Sequence, residues 1–296
     1  MVVQKKKDNL PSNGLKNKGN TCFFNAAMQC ILSIGELNIF YKNTSFPKEK
    51  EVSNAFQQFI REYEASGCYD PKSFIDRIGR KIKLFNGSQQ DSHEFLIQFF
   101  DLLYNELDGS KDKINTKEDF DGVRRANMIA RTIFSMDEQS LSCGACDYVS
   151  VTTAFKSTIL VEPYQTVQMG VDHYYEDVQL EGMGAWKCDK CGAKKHSKKC
   201  TDVLAHPEVL IVHISRFHPQ GWKNNASVEV DDVLRFSGRR YNLFGVVCHS
   251  GSLNGGHYFA EAKRAGTWNL YNDDRVSNGF RTYDGSNPYM LFYTLS

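Results

Sequence analysis

The chain has 296 residues, of which 41% are hydrophobic and 24% are charged, and its formal net charge at pH 7 is +1. This composition predicts a globular protein with a large core, and the near-neutral charge excludes a global field that would recruit nucleic acid or an anionic membrane. No apolar run is long enough to span a bilayer, and the polar N-terminus lacks the apolar core of a secretory signal. We therefore expect an intracellular protein without a membrane partner.

The first third of the sequence is predicted to be helical. Apolar residues recur on one helical face in SNAFQQFIREYEA and in SQQDSHEFLIQFFDLLYNEL, where Ser88 and Asp91 have the spacing of a capping box. A further amphipathic helix is predicted to begin at Cys22. The charged, weakly apolar segment from Asp108 to Arg125 marks the predicted edge of this helical lobe.

The pattern becomes strand-like from about Thr132. The predicted strands are VLIVHI (209–214), LFGVVCH (243–249), HYFAEAK (257–263), WNLYN (268–272) and YMLFYTL (289–295). Turns rich in Gly, Asn, Asp and Ser separate them, and no internal repeat is present. A helical lobe followed by an antiparallel β lobe predicts an α+β fold.

Two CxxC pairs are predicted to hold one metal ion. They are formed by Cys143, Cys146, Cys188 and Cys191. Each pair brings two thiolates within reach of a tetrahedral ion, for which zinc is the expected metal. The stretch between the pairs is long enough to contain strands of its own, as in a zinc ribbon. Chance pairing of buried thiols is the alternative interpretation, and Cys200 and His196 are close enough in sequence to be rival ligands.

The cysteine count also bears on the compartment. Nine is an odd number, and the CxxC spacing fits thiols and metal ligands better than a disulfide framework. We therefore expect a reducing environment, cytoplasmic or nuclear. The basic run from Lys194 to Lys199 could bind nucleic acid, although a solvated tip of the ribbon is the favoured interpretation.

Cys22 is either a core residue or a nucleophile. It stands where a polar loop gives way to the predicted helix, and the amide dipoles at a helix N-terminus favour a thiolate. A lone cysteine at such a position is more often structural, so a catalytic role requires a base elsewhere in the chain. The other cysteines without a partner motif are interpreted as core or incidental residues: Cys30, Cys68 and Cys248.

His257 is the candidate base. It follows Gly255 and Gly256, which let the backbone approach closely, and it begins a predicted strand. The next predicted strand ends in Asn272 and Asp273, either of which could accept the second imidazole N–H. Two other histidines are interpreted differently. His249 is predicted to lie in a turn or loop, and His213 to be a strand histidine satisfied by packing.

Seven segments, in order and over nearly the whole chain, resemble the catalytic domain of the ubiquitin-specific proteases. They are GLKNKGNTCFFNAAMQCIL, QQDSHEFL, the paired CxxC motifs, LIVHISRF, HSGSLNGGHYFA, WNLYNDDRVS and PYMLFYTL. The resemblance implies a papain-like cysteine protease with a helical thumb, zinc-ribbon fingers and an antiparallel β palm. The implied ranges within this single domain, 1–296, are 10–125 for the thumb, mainly 126–206 for the fingers and 207–296 for the palm.

The resemblance also implies roles for individual residues. Cys22 matches the nucleophile, His257 the general base and Asn272 the third member of a triad that works through an acyl-enzyme. Asn17 matches the family's oxyanion-hole residue, and Asp273 matches an auxiliary acidic position. The implied cofactor is one structural zinc ion, with no organic cofactor.

The implied substrates are ubiquitin and ubiquitinated proteins, hydrolysed after the C-terminal Gly-Gly of ubiquitin. Asp91 and Glu94 match acidic positions that meet the arginines of the ubiquitin tail. Asp91 could instead be only an N-terminal helix cap. The narrow cleft for the two glycines is expected to be lined by Gly255, Gly256 and Tyr258.

Two other classes of function stay open. A catalytically silent ubiquitin-binding module would not need the complete set of Cys22, Asn17, His257 and Asn272. A zinc ribbon that binds nucleic acid through its lysines would leave the cysteine and histidine motifs unexplained. The sequence therefore favours a deubiquitinating thiol protease over both.

Overall fold

Helices fill the first part of the chain and strands most of the remainder, in agreement with the sequence patterns. The computed structural model describes residues 10–107, 114, 116–252 and 255–296. The polar N-terminal residues 1–9 lie outside the described residues, as do 108–113 and 115, which belong to the predicted edge of the helical lobe.

Seven of the helices precede the strand-rich part. They are α1 (Cys22–Ile31), α2 (Gly35–Asn43), α3 (Glu51–Ala65), α4 (Lys72–Ile78), α5 (Ser92–Glu106), α6 (Lys117–Ala126) and α7 (Met128–Ile133), and α8 (Val167–Tyr174) follows later. An aromatic cluster joins α1, α3, α4 and α5: the Phe24 and Phe95 rings are 5.2 Å apart, and those of Phe56 and Phe99 are also 5.2 Å apart. Such edge-to-face contacts add to the apolar burial that holds the lobe together.

Three features of the helices differ from the sequence prediction. The cap of α5 is Asp91, which accepts hydrogen bonds from the backbone N–H groups of His93 and Glu94 at 2.7 and 2.8 Å. The predicted capping box at Ser88 is therefore wrong, because the helix begins after Asp91. A helix, α6, forms inside the charged segment that marked the predicted lobe edge, and a capping box at Thr116 begins it. The third difference is α8, which was not predicted.

The strands form two larger sheets and one short pair. They are β1 (Gly14–Leu15), β2 (Cys68–Tyr69), β3 (Ser135–Cys143), β4 (Val149–Lys156), β5 (Ile159–Val161), β6 (Val178–Leu180), β7 (Ser197–Ala205), β8 (Val209–Ile214), β9 (Val233–Phe236), β10 (Arg239–Ser252), β11 (Gly255–Arg264), β12 (Thr267–Asn272), β13 (Arg275–Asn278) and β14 (Pro288–Leu295). The main sheet has the order β13-β12-β11-β10-β14-β8-β5, with β9 paired to β10. The second sheet has the order β4-β3-β7-β6, and β1 pairs with β2.

The second sheet corresponds only in part to the predicted finger range, 126–206. β5 pairs with β8 in the main sheet, and α8 packs against β5 and β9. The chain therefore leaves the second sheet after β4 and returns to it at β6. The predicted range is interrupted because the apolar residues of this strand and helix are buried together with residues of the main sheet: Ile159, Val161, Val167 and Val171.

α1 lies against β10, β11 and β12 of the main sheet. The sheet residues beneath it are small: Ala260 and Ala262 are fully buried, and a Cβ atom on Gly245 would lie 3.1 Å from the Cys30 sulfur. Small side chains let the helix approach the strands closely. Within the described residues no single helix has the length and apolar character of a membrane span, and α1 and α2 meet that test only jointly, with a bend of 88° between them.

Candidate active site

Cys22 is the first residue of α1 and is 2% exposed. The preceding residue, Thr21, makes no side-chain hydrogen bond to the first turn. The backbone N–H groups of that turn therefore keep their partial positive charge near the thiol, which favours negative charge at this position. All ten residues of α1 are buried, so the helix holds Cys22 in a fixed place.

His257 lies beside Cys22 and is held by Asn272. It is the third residue of β11, two positions later than the sequence predicted, and Asn272 ends the neighbouring strand β12. The distance from His257 Nε2 to Asn272 Oδ1 is 2.7 Å. Because an amide oxygen can only accept, Nε2 carries the proton in this bond, and Nδ1 remains to exchange a proton with the thiol.

The same contacts set the charge of His257. A hydrogen bond with the Cys22 side chain raises the pKa of His257 from 6.5 to about 9, with a smaller contribution from the bond to Asn272, while burial acts in the opposite direction. Negative charge on Cys22 and Asp273 acts in the same direction as the hydrogen bonds. The geometry therefore favours an imidazolium beside the sulfur at neutral pH.

Asp273 does not hydrogen-bond the imidazole. It lies in the turn after β12 with φ at 53°, outside the extended strand in which the sequence placed it. Its two carboxylate oxygens accept from Asn17 Nδ2 at 2.9 Å and from Asn25 Nδ2 at 2.8 Å. The left-handed backbone directs the carboxylate toward the loop and helix that surround Cys22.

Asn25 was not predicted as a site residue. It is 2% exposed and also donates to the backbone oxygen of Leu15 at 3.3 Å. The available signal was a polar residue three positions after Cys22, on the same face of a mostly apolar helix. Asn17 is fixed as well, since its side-chain oxygen accepts from the backbone N–H groups of Gly19 at 3.0 Å and Thr21 at 3.2 Å.

The predictions for the two other histidines need correction. His249 lies in β10 and is 3% exposed, so its predicted turn or loop position is wrong. Burial lowers the pKa of His249 to about 4, and the charges of Lys223 and His257 act in the same direction. His213 lies in β8 and stacks on His93 at 3.8 Å. Neither nitrogen of His213 has a hydrogen-bond partner among the described residues, so packing does not satisfy its polar atoms.

The residues predicted to line the substrate cleft surround this group. A Cβ atom on Gly256 would lie 2.0 Å from His249 Nε2, so only glycine fits there, and Gly255 beside it is exposed. Tyr258 is 3% exposed, and its ring is 4.6 Å from that of His249. These contacts pack the strand on both sides of His257 tightly against His249.

Asp91 and Glu94 lie at the start of α5 in different environments. Asp91 caps the helix and accepts a hydrogen bond from the hydroxyl of Tyr289 in β14. Glu94 is exposed, and its carboxylate accepts from Gln98 at 3.0 Å. The cap role weighed for Asp91 is therefore present in the structure, whereas Glu94 faces solvent.

Four cysteines meet at the end of the second sheet. Their sulfur atoms all lie within 4.8 Å of one another, and the Cys143–Cys191 and Cys146–Cys188 pairs are each 3.8 Å apart. Four sulfurs at about 2.3 Å from a tetrahedral zinc ion would be separated by about 3.8 Å, so the cluster fits such an ion. The rival ligands lie elsewhere: His196 Nδ1 is 2.9 Å from Glu181, and Cys200 lies within β7.

Comparisons with known proteins agree with one another over nearly the whole chain. Residues 13–293 match the family model described as ubiquitin carboxyl-terminal hydrolase. Ubiquitin carboxyl-terminal hydrolase 21 of Rattus norvegicus is 27% identical over 345 residues, which cover 95% of this chain and 61% of that protein. Ubiquitin carboxyl-terminal hydrolase 25 of Arabidopsis thaliana is 26% identical over 331 residues, which cover 100% of this chain and 49% of that protein. The chain thus spans about three fifths or less of the length of these relatives.

A solved structure supports the fold. The SAGA DUB module Ubp8/Sgf11/Sus1/Sgf73 bound to monoubiquitin contains a chain that superposes with a TM-score of 0.78 at 21% sequence identity. The superposition covers 100% of this chain and 72% of that chain. This likeness confirms the predicted α+β fold, with its helical lobe, main sheet and cysteine-bearing second sheet.

The raised pKa of His257 predicts its titration. In an NMR titration its ring should titrate near pH 9, and in Cys22→Ala the midpoint should move back toward 6.5 because the largest cause is lost. Since the folded value is raised, the stabilisation from this contact is complete below the unfolded value and disappears as the pH rises through about 9. His206 serves as an internal reference that should not move. An unchanged His257 midpoint in Cys22→Ala would contradict the contact.

Proposed function

This chain belongs to the ubiquitin carboxyl-terminal hydrolase family, and on this basis we propose that it is a cysteine-type deubiquitinase that hydrolyses the bond after the C-terminal Gly-Gly of ubiquitin. The proposal rests on one arrangement of side chains. Cys22, at the N-terminus of a buried helix, lies beside His257, and the Nε2 atom of His257 is 2.7 Å from Asn272 Oδ1. The thiol can then act as the nucleophile and the imidazole as the general base, while the amide holds the imidazole in its orientation.

In the proposed reaction the Cys22 thiolate attacks the carbonyl carbon of the terminal glycine, and a carbon–sulfur bond forms. The carbon–nitrogen bond of the tetrahedral intermediate then breaks, and the leaving amine takes the proton from His257. His257, now neutral, removes a proton from water, which attacks the thioester. Collapse of the second tetrahedral intermediate breaks the carbon–sulfur bond and restores the Cys22 thiolate beside protonated His257, and the released carboxylic acid of ubiquitin loses its proton to solvent.

The oxyanion of each intermediate needs donors, and we assign this role to Asn17. One N–H of its amide is bound to Asp273, and the second remains for the substrate. Asp273, held in turn by Asn25, fixes the direction of this amide. Loss of a preorganised donor of this kind costs about 2.7–4 kcal/mol of transition-state stabilisation in enzymes where it has been removed.

Ubiquitin is the proposed substrate and partner. Glu94 is exposed and bonded to a neutral amide, so its charge is available for an arginine of the ubiquitin tail. Asp91 would contribute in the same way beyond its cap role. Gly255, Gly256 and Tyr258 would form the passage for the two glycines, since the backbone at Gly256 leaves no space for a side chain.

We propose no nucleic-acid partner. In the basic run 194–199, Lys198 is 2.6 Å from Asp177, and His196 is 2.9 Å from Glu181, so acids of the same sheet already engage two of its side chains. None of the nine cysteines is joined in a disulfide bond in the structure, and we propose a reducing, cytoplasmic or nuclear, compartment.

The proposed nucleophile is tested with Cys22→Ala. Hydrolysis of a ubiquitin C-terminal amide should fall more than about a thousandfold, because the covalent step is lost. Ubiquitin binding should remain close to the wild type, since the thiol contributes little ground-state affinity, and the variant should stay folded, losing only the stabilisation from the Cys22–His257 contact. Cys68→Ala, which changes an exposed cysteine outside the site, is the matched control. Activity of Cys22→Ala within tenfold of the wild type would remove Cys22 from this role.

The division of labour between Asn272 and Asp273 is tested by single substitutions. Asn272→Ala should reduce kcat by at least about tenfold and lower the titration midpoint of His257, whereas Asn272→Asp keeps an acceptor and should retain much of the activity. Asp273→Ala should also reduce kcat, but with a smaller effect on that midpoint, because its contacts are with Asn17 and Asn25. If Asn272→Ala is nearly silent while Asp273→Ala behaves like loss of His257, the triad assignment moves by one residue.

The metal proposed for the cysteine cluster is a single structural zinc ion. Four thiolates close the coordination sphere, so the ion would take no part in the reaction and would stabilise the second sheet. Freshly purified protein should contain one zinc per chain by metal analysis. The double variant Cys188→Ser, Cys191→Ser should lose it, with weaker ubiquitin binding, while Cys200→Ser should retain it. Zinc retained in the double variant, or no zinc in the wild type, would contradict the assignment.

A further inference from the structure

Arg264 is the last residue of β11, at the opposite end of the strand from His257, and it is 6% exposed. Its guanidinium donates to five acceptors: Ser33 Oγ at 3.0 Å, Pro11 O at 2.9 Å, Tyr63 OH at 2.5 Å, Gln29 O at 2.7 Å and Gln29 Oε1 at 2.6 Å. A guanidinium has five N–H groups, so each of them has an acceptor. A buried group bonded in this way has one well-defined position.

None of the five acceptors is a carboxylate. The positive charge is instead stabilised by two tyrosine rings, with the guanidinium carbon 5.4 Å from the centre of Tyr63 and 4.7 Å from that of Tyr271. It also lies at the C-terminal end of α1, because Gln29 is in the last turn of that helix and Ser33 follows it. A cation is favoured there by the helix dipole.

These contacts reach every element that carries a member of the proposed triad. Gln29 lies on α1, two helical turns after Cys22. Arg264 itself is on β11 with His257, and Tyr271 directly precedes Asn272 on β12. One side chain, remote from the reacting atoms, therefore joins the helix of the nucleophile to the two strands of its partners.

Apart from the hydrogen bond between Asn25 and Asp273 near the start of α1, the remainder of this interface gives the helix little directional restraint. Below α1 the strands present alanine and glycine, with Ala260 and Ala262 buried and Gly245 close to Cys30. Such a surface fixes how near the helix comes, but small side chains interlock weakly against sliding along the strands. Directional hydrogen bonds at the end of the helix supply that restraint.

We propose that Arg264 is a positioning residue for the reaction: it fixes α1 against β11 and β12, and so holds Cys22 within hydrogen-bond distance of His257. This inference rests on the proposed function. A displacement of about 1 Å at a reacting centre can cost about a hundredfold in rate, so loosening the far end of α1 should affect chemistry more than substrate capture.

The test compares Arg264→Lys and Arg264→Met with Gln29→Met, which removes one acceptor while leaving the guanidinium in place. Arg216→Lys is the matched control, since Arg216 is also buried and bonded to neutral carbonyls, including Pro288 O at 2.6 Å, but its hydrogen bonds within the described residues do not reach α1. Steady-state kinetics on a ubiquitin C-terminal amide give kcat and KM. The titration midpoint of the His257 ring, followed by NMR, reports the thiol–imidazole contact without ubiquitin.

Arg264→Met should lower kcat at least about tenfold with KM within about threefold of the wild type. Its His257 titration midpoint should fall from about 9 toward 6.5. Arg264→Lys, which keeps the charge but has fewer donors, should recover part of both effects, and Gln29→Met should show them to a smaller degree. Arg216→Lys should lose thermal stability without a change in the His257 midpoint.

The proposal is overturned if the folded Arg264 and Gln29 variants keep the wild-type His257 midpoint and kcat and lose only thermal stability, as the control does. If Arg264→Met does not fold, Arg264→Lys and Gln29→Met decide the question. Failure of the proposed function looks different, because the wild type itself would then show a His257 midpoint near 6.5 or fail to hydrolyse the ubiquitin amide.

Discussion

The helix that begins at Cys22 is buried along its whole length, with the other helices on one side and β10, β11 and β12 on the other. His257 and Asn272 come from that sheet and are far from Cys22 in sequence. The distance between thiol and imidazole is therefore determined by how the helix is docked, and not by any local turn. Dense packing of small residues fixes the separation of helix and sheet. The contact between Cys22 and His257 that results raises the pKa of His257.

Adjacent residues of one hairpin serve the two sides of this site. Asn272, the last residue of β12, binds the imidazole, while Asp273 in the following turn binds Asn17 in the loop and Asn25 on α1. The change from extended to left-handed backbone between them sends the two side chains to different partners. The N-terminal strand also joins here, since Leu15 N donates to the backbone oxygen of Asp273 at 2.8 Å. The loop that carries the proposed oxyanion donor is thus fixed at both ends.

Short-range patterns in the sequence predicted the parts of the molecule that depend on local chemistry. The β-rich second half follows from alternation and turn residues, and the cysteine cluster follows from the spacing within each CxxC pair. Features that depend on contacts between distant segments were missed. His249 resembles a turn residue because glycine follows closely, yet pairing with β11 extends β10 as far as Ser252. Arg264 gave no signal, since its acceptors come from three separate segments of the chain.

We propose that docking of α1 against the main sheet activates Cys22, one of the nine cysteine thiols of the chain. The most direct measurement is to react the protein with ubiquitin that carries a C-terminal electrophile and to map the adduct by peptide mass spectrometry. The account predicts a single adduct on Cys22, with the other cysteines unmodified even under excess reagent. An adduct on Cys68 or on a cysteine of the second sheet, or no adduct at all, would contradict it.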